Sequence, residues 1–474
     1  MALAIYNTLT RRKETFRRLV PGTVRIYDCG PTVWAEQHIG NLYRYVVADV
    51  VRRTFEYLGY EVTQVMNITD VGAILGDVEE GEDRMALAAR REGRGPLEVA
   101  ATYTEKFFRD EELLNIQRPH VVPKATEHIA EMQDLIGRLL ERGYAYVAAD
   151  GVYFDVSKWP EYGKLSQKRL DQLEAGARVE VNLNKRHPAD FALWRGAKPD
   201  DLQRWPSPWG EGKPGWHIEC SAMSMKYLGD TFDIHSGGED HVFPHHECEI
   251  AQSEAATGKP FVRYWIHVYF LRVEGQGMHK SIGNVYTVDH IVARGFDPLA
   301  LRLLGMQSHY RTPLNFSWEA VGQQHERLAR WRSNLRRIRG EAGEGSLNGR
   351  TQDLRDAFVA ALEDDFNTPS ALAVVEDAMR RANVAESNEE RGAILARIFD
   401  FDRVLGLRLR EAASAHDEST AEEARLMRER DTARAARDWK RADALREELL
   451  RLGIRVHDEK DGTRWERIPP QAER

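Results

Sequence analysis

The stretch from Val24 to Gly59 constrains the fold more than any other. Val24-Arg25-Ile26-Tyr27 reads as a buried strand and Gly30-Pro31 as a turn. The residues after Asn41, LYRYVVADVVRRTFEYLGY, read as a helix that stops near Gly59. A strand, a loop and a helix start in that order suit an open α/β sheet, whose sites gather at the carboxyl ends of strands. Cys29 stands at such an end. A helix start offers unpaired N–H groups and a positive dipole end, which suit a phosphate. His38 and Asn41 add side-chain donors there, and Gly40 permits close backbone approach.

Further along, Glu61 to Asp70 reads as a second strand ending in polar residues, and Gly72 to Gly95 as a surface loop plus a helix. Residues 119–209 change character: a helix over Glu127 to Arg142 is followed by strand and turn signals at Asp150-Gly151 and Val152-Tyr153-Phe154. Phe232 to His235 restores the strand pattern, ending at Gly237-Gly238, and His245 to Ala256 reads as a helix. From Ser317 onward the period is helical, with Asn367-Thr368-Pro369 read as a cap followed by Pro at the first helical position. EAGEGSLNG, residues 341–349, is a loop, and EAASAHDEST, residues 411–420, is a linker. Residues 421–452 form two helices broken near Arg437-Asp438-Trp439, and a hairpin turns around Asp461-Gly462.

A chain of 474 residues is expected to divide into several domains. It has no apolar run of about 18 residues, so no membrane span is indicated, and its N-terminus lacks a signal-peptide core. Three cysteines are too few for a disulfide framework and point to a reducing cytoplasm. A formal net charge of −8 gives no general affinity for nucleic acid, so any such contact must use local basic patches.

The segment Tyr27 to Asn41 is Y-D-C-G-P-T-V-W-A-E-Q-H-I-G-N. His38-Ile39-Gly40-Asn41 resembles the first signature of class I aminoacyl-tRNA synthetases, and C-G-P-T-V narrows this to the cysteinyl-tRNA synthetase family. The resemblance continues through G-W-H-I-E-C ending at Cys220, F-P-H-H-E-C-E-I-A-Q ending at Gln252, Met278-His279-Lys280-Ser281 and the C-terminal region. It implies an α/β protein: a Rossmann-like parallel-sheet catalytic core with an insertion, then an α-helical anticodon-binding region and a small C-terminal α+β module. The expected divisions are core halves at 1–118 and 210–270, a connective insertion at 119–209, and a connecting segment at 271–316. A helical tRNA-binding bundle at 317–410 and an anticodon module at 411–474 complete them. By analogy with the family, the insertion is too small for a hydrolytic editing domain.

Cys29 and Cys220 each follow an apolar run, and His245 and Glu249, spaced i and i+4, share a helix face. Two thiolates, an imidazole and a carboxylate suit tetrahedral zinc. The resemblance places the family's zinc ligands on these four residues. Cys248, three residues after His245, is on that face too, and ligand softness would favour it over Glu249. The resemblance favours Glu249.

Such a metal would serve selection. Cysteine and serine differ by one atom, and pocket shape rejects near-isosteres by only about 10²-fold. A zinc that takes the substrate sulfur as thiolate separates them without editing. Gly30, Thr32, Thr69, Trp216 and His235 are the expected cysteine contacts, with Asp70 beside Thr69.

The family resemblance also implies ATP, with Mg2+, as the activating substrate. His38, Gly40, Asn41 and Lys280 are the expected ATP-binding residues, with His38, Asn41 and Lys280 catalytic through charge stabilisation on phosphate oxygens. The chain departs from the family in two places. Asn41 stands where a second His is usual, and Gly277 and His279 replace the first Lys and the Ser of the K-M-S-K-S signature.

For tRNA(Cys), the Arg-rich run Glu326 to Arg339 with Trp331 is a candidate phosphate-backbone contact. Trp439 is placed to stack on an anticodon base, with Arg434 and Asp443 reading base edges. The leading expectation is a cytoplasmic, monomeric enzyme that joins L-cysteine to tRNA(Cys). A paralogous ATP-dependent cysteine ligase of the mycothiol-synthesis type would share the zinc and nucleotide sites but need no anticodon module. A tRNA-binding or zinc-sensing protein with a decayed site is a third reading, motivated by Asn41, Gly277 and His279.

Overall fold

A computed structural model describes residues 2–72, 83–168, 182–278, 282–414, 421–452, 454–459 and 462–467. Four parallel strands form its central sheet, in the order Val262–Val268, Phe232–Gly238, Thr23–Asp28, Glu61–Met66. They are buried along most of their length, as parallel strands covered on both faces must be. One apolar cluster, holding Val24, Ile26, Ile234 and Ile266, packs against the other sheet residues from one face. A second, holding Tyr27, Val65, Phe232 and Trp265, fills the other.

Chain order decides where the site falls. From Thr23–Asp28 the chain crosses through the Ile39–Tyr57 helix to Glu61–Met66 on one side. After the insertion it returns as Phe232–Gly238 on the other side of the first strand. Adjacent strands whose connections leave in opposite directions open a crevice at their carboxyl ends. Cys29 borders it, and its N–H donates to the Ser236 carbonyl at 3.2 Å.

The insertion is an antiparallel sheet of Ala145–Ala148, Gly151–Phe154, Phe191–Gly196 and Gly212–Pro214. Its last strand lies beyond the expected boundary at residue 209, because pairing with Phe191–Gly196 holds it in that sheet. The second core strand stops at Met66 rather than Asp70. Residues beyond it leave the ladder, and Thr69 forms an isolated bridge with Thr32.

The helical half packs around a third core containing Leu335, Phe358, Leu372, Ile398 and Phe401. Asn367 caps Thr368–Val384, accepting the Ser370 N–H at 3.1 Å, so Pro369 is the second helical residue rather than the first. Residues 409–414 extend the helical region into the expected linker, and the helix before Gly343 carries through Ala342. The last two helices, Ala421–Ala435 and Trp439–Arg451, are joined across Arg437 and Asp438. Ile454–Glu459 and Gly462–Arg467 pair antiparallel as the terminal hairpin. No helix among the described residues is long and apolar enough to cross a membrane.

Candidate metal centre and active site

At the crevice, ligating atoms of Cys29, Cys220, His245 and Glu249 lie within 4.8 Å of one another, and all four residues are buried. Each comes from an element the sequence fixes locally. Cys29 directly follows the Thr23–Asp28 strand, Cys220 lies on the Trp216–Leu228 helix, and His245 and Glu249 are one turn apart on His245–Thr257. His245 Nε2 is 3.0 Å from Glu249 Oε1, and Cys29 Sγ is 4.0 Å from the same oxygen. These separations fit side chains converging on a single tetrahedral ion.

A second, overlapping set, Cys29, His235, His246 and Glu249, meets the same criterion. Its imidazoles face the other members of the set, with His246 Nε2 3.2 Å from Cys29 Sγ, and also reach beyond it. His235 Nε2 is 2.9 Å from Glu249 Oε2, with its ring stacked on Trp265 at 4.7 Å. His246 is hydrogen-bonded to His267 at 2.8 Å, and His267 to the Thr8 hydroxyl at 2.8 Å.

The charges of this cluster are uneven. Burial opposes ionisation of Glu249, but the nearby His235 and His245 overcome it and hold its carboxyl down to about 2. Burial likewise opposes a charge on His245, and Glu249 outweighs it, lifting the imidazole to about 10. Burial first, then neighbouring histidines, pushes His246 well below its ordinary value. Cys29 is raised by burial, and Cys220 by its contact with Cys29. Binding a divalent cation here must therefore displace protons from His245 and the thiols.

Cys248 points elsewhere. Its Sγ is 3.3 Å from the Tyr162 hydroxyl, and it belongs to neither donor set. Trp216 is half-buried and lies over the His245 ring, with centroids 4.1 Å apart. The Gly30 N–H donates to Asn67 Oδ1 at 2.8 Å, and a side chain at Gly30 would run into the Asn67 carbonyl. The Asp70 carboxylate accepts from the Thr126 N–H at 2.9 Å and hydroxyl at 2.6 Å, which commits it to the insertion.

The nucleotide side is more fully capped than a bare helix start. His38 Nδ1 accepts the Asn41 N–H at 3.1 Å, and the Ile39 N–H donates to the Tyr286 carbonyl at 2.8 Å. Acceptance at Nδ1 places the His38 proton on Nε2, so the ring remains a donor. Met278 lies against Gly40: a side chain on Gly40 would meet its methyl group and approach the His38 ring to 3.2 Å. His279, Lys280 and Ser281 lie outside the described residues.

In the helical half, Trp331 is buried in the core rather than presented to solvent, with Arg327 over its ring. Arg332 and Arg337 pair with Asp297 and Glu341. At the C-terminal module Trp439 is 58% exposed, Asp443 is exposed and Arg434 half-buried. Spacing along the chain marks neither the His246–His267–Thr8 chain nor the contacts of Asn67 and Tyr162. The His245-His246 pair and His267 on a core strand were its only visible signals.

A parallel sheet with this switch-point cluster and a His-Ile-Gly-Asn helix start is the architecture of a class I tRNA synthetase. The family model for the class I (C) catalytic domain matches residues 15–326. The DALR domain matches 357–410, and the cysteinyl-tRNA ligase anticodon binding domain matches 416–465. The chain is 45% identical to the cysteine–tRNA ligase of Thermus thermophilus over 98% of its own length and 99% of that protein. It is 44% identical to that of Chlorobaculum tepidum over the same shares. Among solved structures it resembles Mycobacterium tuberculosis methionyl-tRNA synthetase in complex with methionyl-adenylate. That likeness has a TM-score of 0.57 at 14% identity, covering 82% of this chain and 91% of that one. The chain belongs to the cysteine–tRNA ligase family.

Proposed function

We propose that this chain is a cysteine–tRNA ligase, which uses ATP to activate L-cysteine as cysteinyl-adenylate and transfers it to tRNA(Cys). The observation that carries the reading is the buried Cys29, Cys220, His245 and Glu249 set beside the loop that leads to His38. Its two sulfurs favour zinc, and softness favours this set over the one with a single sulfur. When bound there, zinc supplies affinity for a thiolate sulfur, which the hydroxyl of serine does not match at neutral pH.

The chain's own residues do the rest. Trp216, over His245, closes the pocket around a short side chain. Gly30, Thr32 and Thr69 line the approach for the cysteine backbone. His235 steadies Glu249 from behind through their 2.9 Å contact. His38 Nε2, Asn41 and Lys280 donate to phosphate oxygens as pyrophosphate leaves, with Gly40 keeping the approach open and Mg2+ accompanying ATP. Trp439, with Arg434 and Asp443, contacts the anticodon. The protein works in the cytoplasm as a monomer.

A mycothiol-type cysteine ligase is not favoured, because residues 416–465 match an anticodon binding domain. Aminoacylation of total tRNA with labelled cysteine tests the proposal. Charging supports it; cysteine-dependent ATP–pyrophosphate exchange without charging supports the paralogous ligase; neither activity supports a decayed site.

A further inference from the structure

In the helical half, the Asn388–Leu405 helix ends against the catalytic half. A helix leaves its last carbonyls unpaired and carries negative partial charge at that end, so donors and cations suit it. Gly406 turns the chain there at a φ of +64°, and its N–H donates to the Asp402 carbonyl at 2.8 Å. Other carbonyls of this end are met from across the interface. Arg302 Nε donates to the Leu405 carbonyl at 2.7 Å, and Arg53 Nη1 to that of Arg403 at 3.1 Å. Asn115 Nδ2 donates to the Gly406 carbonyl at 2.8 Å.

These three donors are tied to one another. Asp49 Oδ2 accepts from Arg302 Nη2 at 2.5 Å and from Arg53 Nε at 2.7 Å. The Asn115 carbonyl accepts from Arg53 Nη2 at 2.8 Å and from Arg302 Nη1 at 3.2 Å. Asp49 and Arg53 belong to Ile39–Tyr57, Asn115 to the turn after Pro96–Leu113, and Arg302 to Pro298–Met306. The fit is close: a side chain on Gly406 would run into the Arg302 guanidinium. Arg302 is fully buried, and parting it from its acceptors would strand a charge away from water. Contacts between domains of one chain ordinarily permit movement, and this one resists it.

The seat lies between two places a tRNA must reach. The Ile39–Tyr57 helix begins beside His38, and the chain beyond Leu405 leads through Leu409–Ser414 to the anticodon-domain match at 416–465. A tRNA presents its 3′ end and its anticodon at opposite ends of one stiff molecule. Holding both ends at once gains affinity only when the spacing of the two sites matches, and a joint fixed beforehand lowers the ordering cost.

We propose that Arg302, Arg53 and Asn115 are positioning residues that seat the helical half on the catalytic half and set the span between the nucleotide site and the anticodon module. They act on the tRNA step and not on activation of cysteine. The assignment rests on the cysteine–tRNA ligase reading.

Three assays test it together: charging of full-length tRNA(Cys), charging of a minihelix that carries the acceptor stem without the anticodon arm, and ATP–pyrophosphate exchange. Asn115→Gly removes the carboxamide and suits the left-handed backbone there, at a φ of +53°. Asn115→Gly and Arg53→Ala should each lower kcat/KM for the full-length tRNA by about tenfold, because linked contacts lose their fixed span. Minihelix charging and exchange should stay within about twofold of wild type, since each uses one end only. Equal loss on both RNAs, loss of exchange, or full-length charging at the wild-type rate overturns the assignment. If Arg53→Ala does not fold, Asn115→Gly alone decides it. A wild-type protein that charges no tRNA overturns the functional reading, and this assignment with it.

Discussion

The Cys248 thiol lies 3.3 Å from the Tyr162 hydroxyl, in contact with the insertion. Helical spacing alone left Cys248 and Glu249 as rivals for the same ion, and this contact separates them. Cys248→Ser should keep about one zinc per chain with two sulfur neighbours by X-ray absorption. Cys29→Ser or Cys220→Ser should lose most of the metal. Three sulfurs in the wild-type spectrum would return Cys248 to the ligand set.

Met278 against Gly40 joins the two nucleotide signatures. Gly40→Ala should push Met278 and the His38 ring apart. Misplacement on that scale lowers rates by about tenfold to a hundredfold. ATP–pyrophosphate exchange should fall by that factor while cysteine affinity, read by calorimetry, stays within about twofold.

Lys280 follows Met278 by two positions and keeps the one lysine of its signature. Lys280→Ala should lower the exchange rate by roughly tenfold or more, with little change in cysteine affinity. Near-normal exchange would remove Lys280 from the chemistry and leave phosphate stabilisation to the first signature.

Arg302 is fully buried and donates to Asp49 at 2.5 Å, tying the Ile39–Tyr57 helix to the Pro298–Met306 helix. Asp49→Ala strands this guanidinium and should cost about 3–5 kcal/mol by urea denaturation. Burial pushes Asp49 up, but Arg302 and Arg53 outweigh it and hold the carboxyl below its ordinary value. A carboxyl depressed in the folded state adds stability above its unfolded value, near about 3.9, and loses it as pH falls through the folded one. The stability gap between wild type and Asp49→Asn should therefore be full at neutral pH and shrink below about pH 4. A gap unchanged in stronger acid would assign the effect to packing.

Trp439 is exposed at the start of the Trp439–Arg451 helix, although large aromatic side chains ordinarily gain from burial. Stacking on an unpaired base contributes about 1–3 kcal/mol. Trp439→Ala should raise the KM for tRNA by roughly 5- to 100-fold in charging assays and leave ATP–pyrophosphate exchange unaltered. An equal loss in both assays would make its role structural.

The chain alone specified the local pieces. Apolar spacing marked the Thr23–Asp28 strand and the Ile39–Tyr57 helix, and Asn367 announced its helix, because these depend on neighbours within a few residues. It also placed His245 and Glu249 on one helix face, since that follows from helical pitch alone. The packed fold is what brings Cys29 and Cys220 to that face, because strand order across the sheet brings their elements together. It turned Cys248 toward Tyr162, gave Asp70 to Thr126, buried Trp331 and set His235 behind Glu249. Each of these depends on which element packs opposite, and spacing along a chain carries no record of what lies across from it.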